Sequence, residues 1–192
     1  MRFIIRPAQS SDCDCLLAMI HGIAEYHNVL KEMKINVQEL RDDGFGEKAA
    51  FECLLAELAP EQEGEQGRPV GYILFFFGYS MTAGRMVNVE NLYVHSEFRG
   101  RGIGTRLMSE AVKLALAKGC RELKFIAVDW NRVTTDWLQG LGVRDQTQAS
   151  MWHCFELDEA AMRWLAETQG GGRAASGGAL GPDGEWPSQT PP

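Results

Sequence analysis

Several absences narrow this chain of 192 residues before any motif is considered. No apolar run comes near the ~18 residues that a membrane-crossing helix requires. The short run Phe3-Ile4-Ile5 is stopped by Arg6-Pro7, so a secretory leader is not expected either. Basic charge is scarce: 19 Lys and Arg stand against 26 Asp and Glu, for a net charge of −7. A nucleic-acid binder or an anionic-membrane binder needs a basic face, so neither partner is expected. Five cysteines form an odd, scattered set, which reads as reduced thiols in a cytoplasmic protein. Cys13-Asp14-Cys15 lacks the second ligand pair of a metal hairpin, and the histidines do not cluster, so no metal is expected.

What remains is globular usage, 45% hydrophobic and 23% charged, with no internal repeat. Residues 170–192 break from it. Seven Gly and four Pro leave Leu180 and Trp186 as the large apolar residues there, so 170–192 reads as a disordered tail behind a domain at 1–169. Inside the domain, 3–6 reads as a strand, and Ser10 or Ser11 caps a helix that runs to Tyr26. A short helix is expected at 37–42, then strands at 51–56, 70–77 and 85–94, the first two joined across the acidic loop 60–67. Val87 and Val89 point inward along the third of these, and Asn88 and Glu90 outward. A helix follows to Lys118, where Gly119 stops it. Then come a strand at 123–128, a helix at 131–141, a strand at 150–157 and a closing helix capped by Asp158.

The segment Arg99-Gly100-Arg101-Gly102-Ile103-Gly104-Thr105, between a strand and a helix, carries the chemistry. Glycines let backbone approach a ligand closely, and the first amides of a helix attract phosphate. A Walker loop would need Gly-Lys-Ser/Thr, which is missing, and Thr105 interrupts a dinucleotide fingerprint.

With that turn, the motifs Ile5-Arg6-Pro7-Ala8, Asp42-Asp43-Gly44-Phe45-Gly46-Glu47, Tyr93-Val94, Phe98-Arg99-Gly100 and Asp129-Trp130-Asn131 give a chain that resembles the GNAT acetyltransferases. It is similar in particular to the diamine and thialysine N-acetyltransferase group. The resemblance implies an α/β fold with a mixed, mostly antiparallel sheet of six or seven strands flanked by helices. It implies acetyl-CoA as cosubstrate, a small amine as substrate and a homodimer. Leu92, Tyr93 and Val94 would meet the pantetheine arm; Gly100, Arg101, Gly102, Ile103, Gly104 and Thr105 the pyrophosphate; Asn131 and Thr134 the rest of the cofactor. A bulge on the strand beside the cofactor would free amides there. Tyr26, His27, Glu90, Lys124, Phe125 and Ile126 would line the amine site, with Glu90 as base and Tyr93 as a second catalytic candidate.

Two departures bear on activity. The position of the family's acid tyrosine, aligned from Trp130-Asn131, holds Leu138, which cannot donate a proton. His27, Ser80, Asn91 and Ser150 stand where polyamine-directed relatives carry acids, which favours thialysine-like amines over spermidine. The alternative expectation is a relative that binds coenzyme A or a protein partner and is impaired as a catalyst.

Overall fold

The computed structural model describes residues 2–60, 67–147 and 156–167. The chain divides into two compact units, Met1–Thr135 and Asp136–Pro192. The first holds strands β1 (Phe3–Pro7), β2 (Glu52–Leu58), β3 (Arg68–Ser80), β4 (Gly84–Val94) and β5 (Glu122–Phe125). It also holds helices α1 (Cys13–Tyr26), α2 (Val37–Phe45) and α3 (Ile103–Ala117); α4 (Arg132–Gly140) opens in it. The second unit holds the end of α4 and α5 (Glu159–Glu167), whose first turn is capped by Asp158 Oδ1 accepting from the Ala161 amide at 2.8 Å.

The five strands form one sheet in chain order, antiparallel except for the parallel pair β4 and β5. Apolar alternation sorts their side chains between two faces. Leu55, Tyr72 and Leu74 join Cys13, Leu16, Met19 and Ile20 of α1 and Leu40 of α2 in one core. By the same alternation Leu54, Ile73 and Phe75 turn to the opposite face, where α3 buries Ile103, Leu107, Ala111 and Ala115. Far from β5, the Arg6 guanidinium donates two bonds to Asp12, at 2.7 and 2.9 Å, and one to Glu57, at 2.7 Å. This ties the first two strands to the turn that precedes α1.

Four expectations are corrected. The sheet has five strands among the described residues instead of six or seven; the strand expected at 150–157 falls mostly outside them, as do most of the loop 60–67 and the tail. β5 stops at Phe125 instead of residue 128, because its pairing with β4 ends at Val89, where the bulge of β4 begins. Neither Ser10 nor Ser11 caps α1; Ser10–Asp12 is a short 3₁₀ turn in which Asp12 accepts from the Gln9 amide at 2.7 Å. α2 runs three residues past 42, through Gly44, where a Cβ would stand 2.4 Å from the Phe51 ring. Gly44 lies inside the helix and admits an aromatic ring.

Candidate active site

β4 is two strands in one. Met86, Val87, Asn88 and Val89 pair with β3 on one side and with β5 on the other. Then the register with β3 slips: Val89 lies opposite Phe75 but Asn91 opposite Leu74, which leaves Glu90 as the extra residue of a bulge. Val89 and Leu92 face α3 on either side of it, so Glu90 and Asn91 both fall on the face toward α1. Pairing with β5 ends at the same place, and beyond it the second edge of β4 is open among the described residues.

The backbone at that edge has a defined orientation. The His95 amide donates to Val70 on β3 at 2.9 Å. Antiparallel strands alternate the direction of their peptide groups, so Tyr93 also turns its backbone to β3, while Leu92 and Val94 direct N–H and C=O into the gap. Of the three residues expected to meet the pantetheine arm, Leu92 and Val94 therefore offer backbone to the gap. Tyr93 offers a side chain to the other face.

At the end of β4, Arg99 Nε donates to the Val94 carbonyl at 2.8 Å, and the Arg101 guanidinium lies 5.8 Å from the Phe98 ring centre. Gly100 and Gly102 hold φ of +72° and +79°, a conformation that costs any other residue about 1–2 kcal/mol. A Cβ at either would meet nothing within 4 Å, so both open onto free space. Gly102 is the N-cap of α3; Ile103 is buried, and Gly104 and Thr105 complete the first turn. A Cβ at Gly104 would lie 3.9 Å from Leu92 and 4.0 Å from Val94, which places the helix N-terminus against the open edge of β4. An open glycine cradle, first-turn amides and a strand edge in one place fit the pyrophosphate and pantetheine of coenzyme A.

The face toward α1 is aromatic. Tyr93 and Tyr72, opposite each other, have ring centres 6.2 Å apart. The Tyr93 hydroxyl lies 3.4 Å from His95 Nδ1 and would be 3.1 Å from a Cβ at Gly22. Gly22 is thus the gap in α1 that lets helix and strand approach. The Tyr72 hydroxyl is buried without a partner among the described residues, and burial pushes its pKa well above the usual phenol value, with Cys53, Tyr93 and Glu90 adding to the effect. One turn beyond Gly22, Tyr26 packs its ring 5.4 Å from Trp130 and 5.5 Å from His27, and His27 lies 5.8 Å from Trp130.

The remaining expected residues spread around the gap. Phe125 pairs with Val89 beside the bulge, Lys124 Nζ lies 3.5 Å from Glu122, and Ile126 is 84% exposed. Asn131 Oδ1 accepts from the Thr134 amide at 3.3 Å, so both residues serve the start of α4. Leu138 is buried, as suits an aliphatic side chain. Trp130 and Gly22 have no role in the sequence reading. The Asp-Trp-Asn motif was a signal for the first; the second has none until the contact with Tyr93 is seen.

An open-edged strand with a bulge, beside a glycine cradle, is the arrangement that the resemblance to acyl-coenzyme A transferases implies. The acetyltransferase (GNAT) family matches residues 24–143, and the chain belongs to that family of N-acetyltransferases. It is 42% identical over 164 residues to thialysine N-epsilon-acetyltransferase of Sus scrofa, a match that covers 85% of this chain and 96% of that protein. It is 30% identical over 164 residues to the human spermidine/spermine N(1)-acetyltransferase-like protein 1, covering 85% of this chain and 24% of that longer one. In fold it is similar to an integron cassette protein of V. cholerae, with a TM-score of 0.66, 17% identity and coverage of 88% and 99%. An aminoglycoside acetyltransferase from a soil metagenomic sample gives a TM-score of 0.63 at 14% identity, covering 82% of this chain and 97% of that one. The reading of the chain as a lapsed relative has no support among these proteins.

Proposed function

We propose that the chain acetylates the primary amine of a small, amino-acid-derived molecule of the thialysine class, with acetyl-CoA as donor. The observation that carries this reading is the bulge at Glu90, which sets a carboxylate beside the open edge of β4. Bound acetyl-CoA supplies an activated acyl group as its thioester. The chain's residues then have separable tasks. Gly100, Arg101, Gly102, Ile103, Gly104 and Thr105 hold the pyrophosphate, Leu92 and Val94 hold the arm, and Asn131 and Thr134 shape the far side. Glu90 takes a proton from the ammonium, whose ordinary pKa near 10 keeps its lone pair blocked at neutral pH. Tyr93, held by His95, is the proton donor at the close of transfer. Overall a C–N bond replaces a C–S bond, one proton goes to the leaving thiolate and one to solvent. Lys124, Phe125 and Ile126 border the amine from the side of β5, and the active species is a homodimer.

The identity of 40–42% to three mammalian thialysine enzymes supports this substrate class. A thiol-release assay with thialysine, lysine, putrescine and spermidine tests it, run beside a calorimetric titration of coenzyme A. Turnover highest on thialysine or lysine is expected. Tight coenzyme A binding with no turnover on any amine overturns the reading. Light scattering at two concentrations checks the dimer.

A further inference from the structure

We propose that Arg85 and Arg121 form a second anion site, apart from the glycine cradle, that holds the phosphate group of a small phosphate monoester. The inference goes beyond amine acetylation and does not depend on it.

The site is a row across three strands. Tyr79 of β3 lies opposite Arg85 of β4, and the Arg121 amide, one residue before β5, donates to the Arg85 carbonyl at 2.9 Å. The parallel register of Met86 with Glu122 sets Arg85 beside Arg121. Alternation turns the three side chains to the face that α3 covers, where with Ala83, Gly84 and Gly119 they line one open cleft of about 310 Å³. The Tyr79 hydroxyl would lie 3.9 Å from a Cβ at Gly84, so the phenol reaches over the row. The charge in this cleft is unmatched. Like charges side by side on neighbouring strands repel. No carboxylate lines the cleft, and among the described residues none pairs with either guanidinium. Glu52 pairs with Lys118 instead, and Glu122, on the other face, lies 3.5 Å from Lys124. Arg85 is steadied by one bond, from Nη1 to the Lys118 carbonyl at 3.1 Å, which leaves its other N–H groups without a partner among the described residues. In a chain of net charge −7, two adjacent cations with no acid between them are a place that a dianion neutralises.

The ligand class follows from the donors. A guanidinium offers parallel N–H groups to two oxygens. A phosphate has oxygens and charge for two such forks, where a carboxylate has them for one. The cleft is larger than one phosphate group, and the Tyr79 ring at its edge is 81% exposed, so an ester's body can lie against that ring. The cradle is at the other end of α3, whose 15 residues span about 22 Å, so the two sites do not compete. Phenyl phosphate, inorganic phosphate and benzoate, titrated into isotope-labelled protein, read these features through the backbone amides. Phenyl phosphate should shift Gly84, Gly119 and Arg121 together and saturably, with a Kd about tenfold or more below those of benzoate and inorganic phosphate. Arg121→Gln should weaken it about tenfold, and Arg121→Lys about threefold, because lysine keeps the charge and loses the fork. Both variants should leave the KM for acetyl-CoA unchanged. Arg85→Gln serves if Arg121→Gln does not fold.

Shifts confined to Gly100, Gly102 and Gly104 put the anion in the cradle and overturn the second site. Benzoate binding as tightly as phenyl phosphate overturns the phosphate assignment, and inorganic phosphate binding as tightly overturns the ester in favour of the free anion. An unchanged Kd in Arg121→Gln overturns the site outright. None of these outcomes touches amine acetylation, which the thiol-release assay decides by itself.

Discussion

The two halves of β4 have one backbone and opposite duties. From Met86 to Val89 the strand is paired on both edges, and Val87 is fully buried. From Glu90 to Val94 it keeps one partner and shows the other edge to the gap. One inserted residue separates the halves. Pairing with β5 ends at the bulge, which brings a carboxylate to the α1 face and leaves peptide groups on one edge of β4 unpaired among the described residues. The closed side includes β1, β2 and the Arg6 lock, and the proposed chemistry falls on the open side. Changes on one side should leave the other's readout alone.

The largest effect is expected from Glu90→Gln on the open side. It should lower kcat about 10²–10⁴-fold while coenzyme A affinity and melting temperature stay near wild type. A loss of stability instead would make the bulge structural.

On the closed side, Asp12→Asn should cost about 1.5–3 kcal/mol, because it removes charge-assisted bonds from a half-buried guanidinium. The bond from Arg6 holds the Asp12 carboxyl below its usual range. A lowered value means that this contribution is complete above about pH 4, the ordinary carboxyl pKa, and disappears as pH falls through the folded-state value. Urea melts of both proteins should therefore differ at pH 7 and converge in acid.

Val87→Ala should cost about 2 kcal/mol from lost burial and the cavity left behind, with kcat/KM per folded molecule unchanged. A change in KM for acetyl-CoA would show that the closed half also shapes the gap.

The smallest and most discriminating pair is Gly102→Ala against Gly119→Ala. The two glycines have φ of +79° and +78° at opposite ends of α3, and neither has an atom within 4 Å of a new Cβ. Each substitution should cost about 1–2 kcal/mol of stability. Gly102→Ala should in addition raise the KM for acetyl-CoA about tenfold, roughly another 1.4 kcal/mol, because it puts a methyl group in the cradle. Equal KM values for the pair would mean that the cradle holds no phosphate.

Much of this organisation is legible in the sequence, and the gaps have causes. Apolar runs mark the five strands, since burial demands them, and Gly119 marks the end of α3 because its φ of +78° favours glycine. The end of α2 is hidden, since Gly44 serves Phe51 and not the helix. The end of β5 is hidden for a different reason: it coincides with a bulge in another strand, and no residue of β5 records it. The polar pair Glu90-Asn91 hints at the bulge without fixing the register. On the site, the glycine turn is local and readable. The meeting of Tyr26 with Trp130, and of Gly22 with Tyr93, joins residues far apart in the chain and has no local signature.

The alternation of peptide groups beyond the bulge also sets how β4 exchanges its amide protons with solvent. The amides of Tyr93 and His95 are engaged by β3, while those of Leu92 and Val94 look into the gap. In deuterated water the strand should label in a checkerboard, every second residue fast, the rest as slow as the core. A bound coenzyme A arm would protect only the fast ones, so its footprint would be written on alternate residues of a single strand.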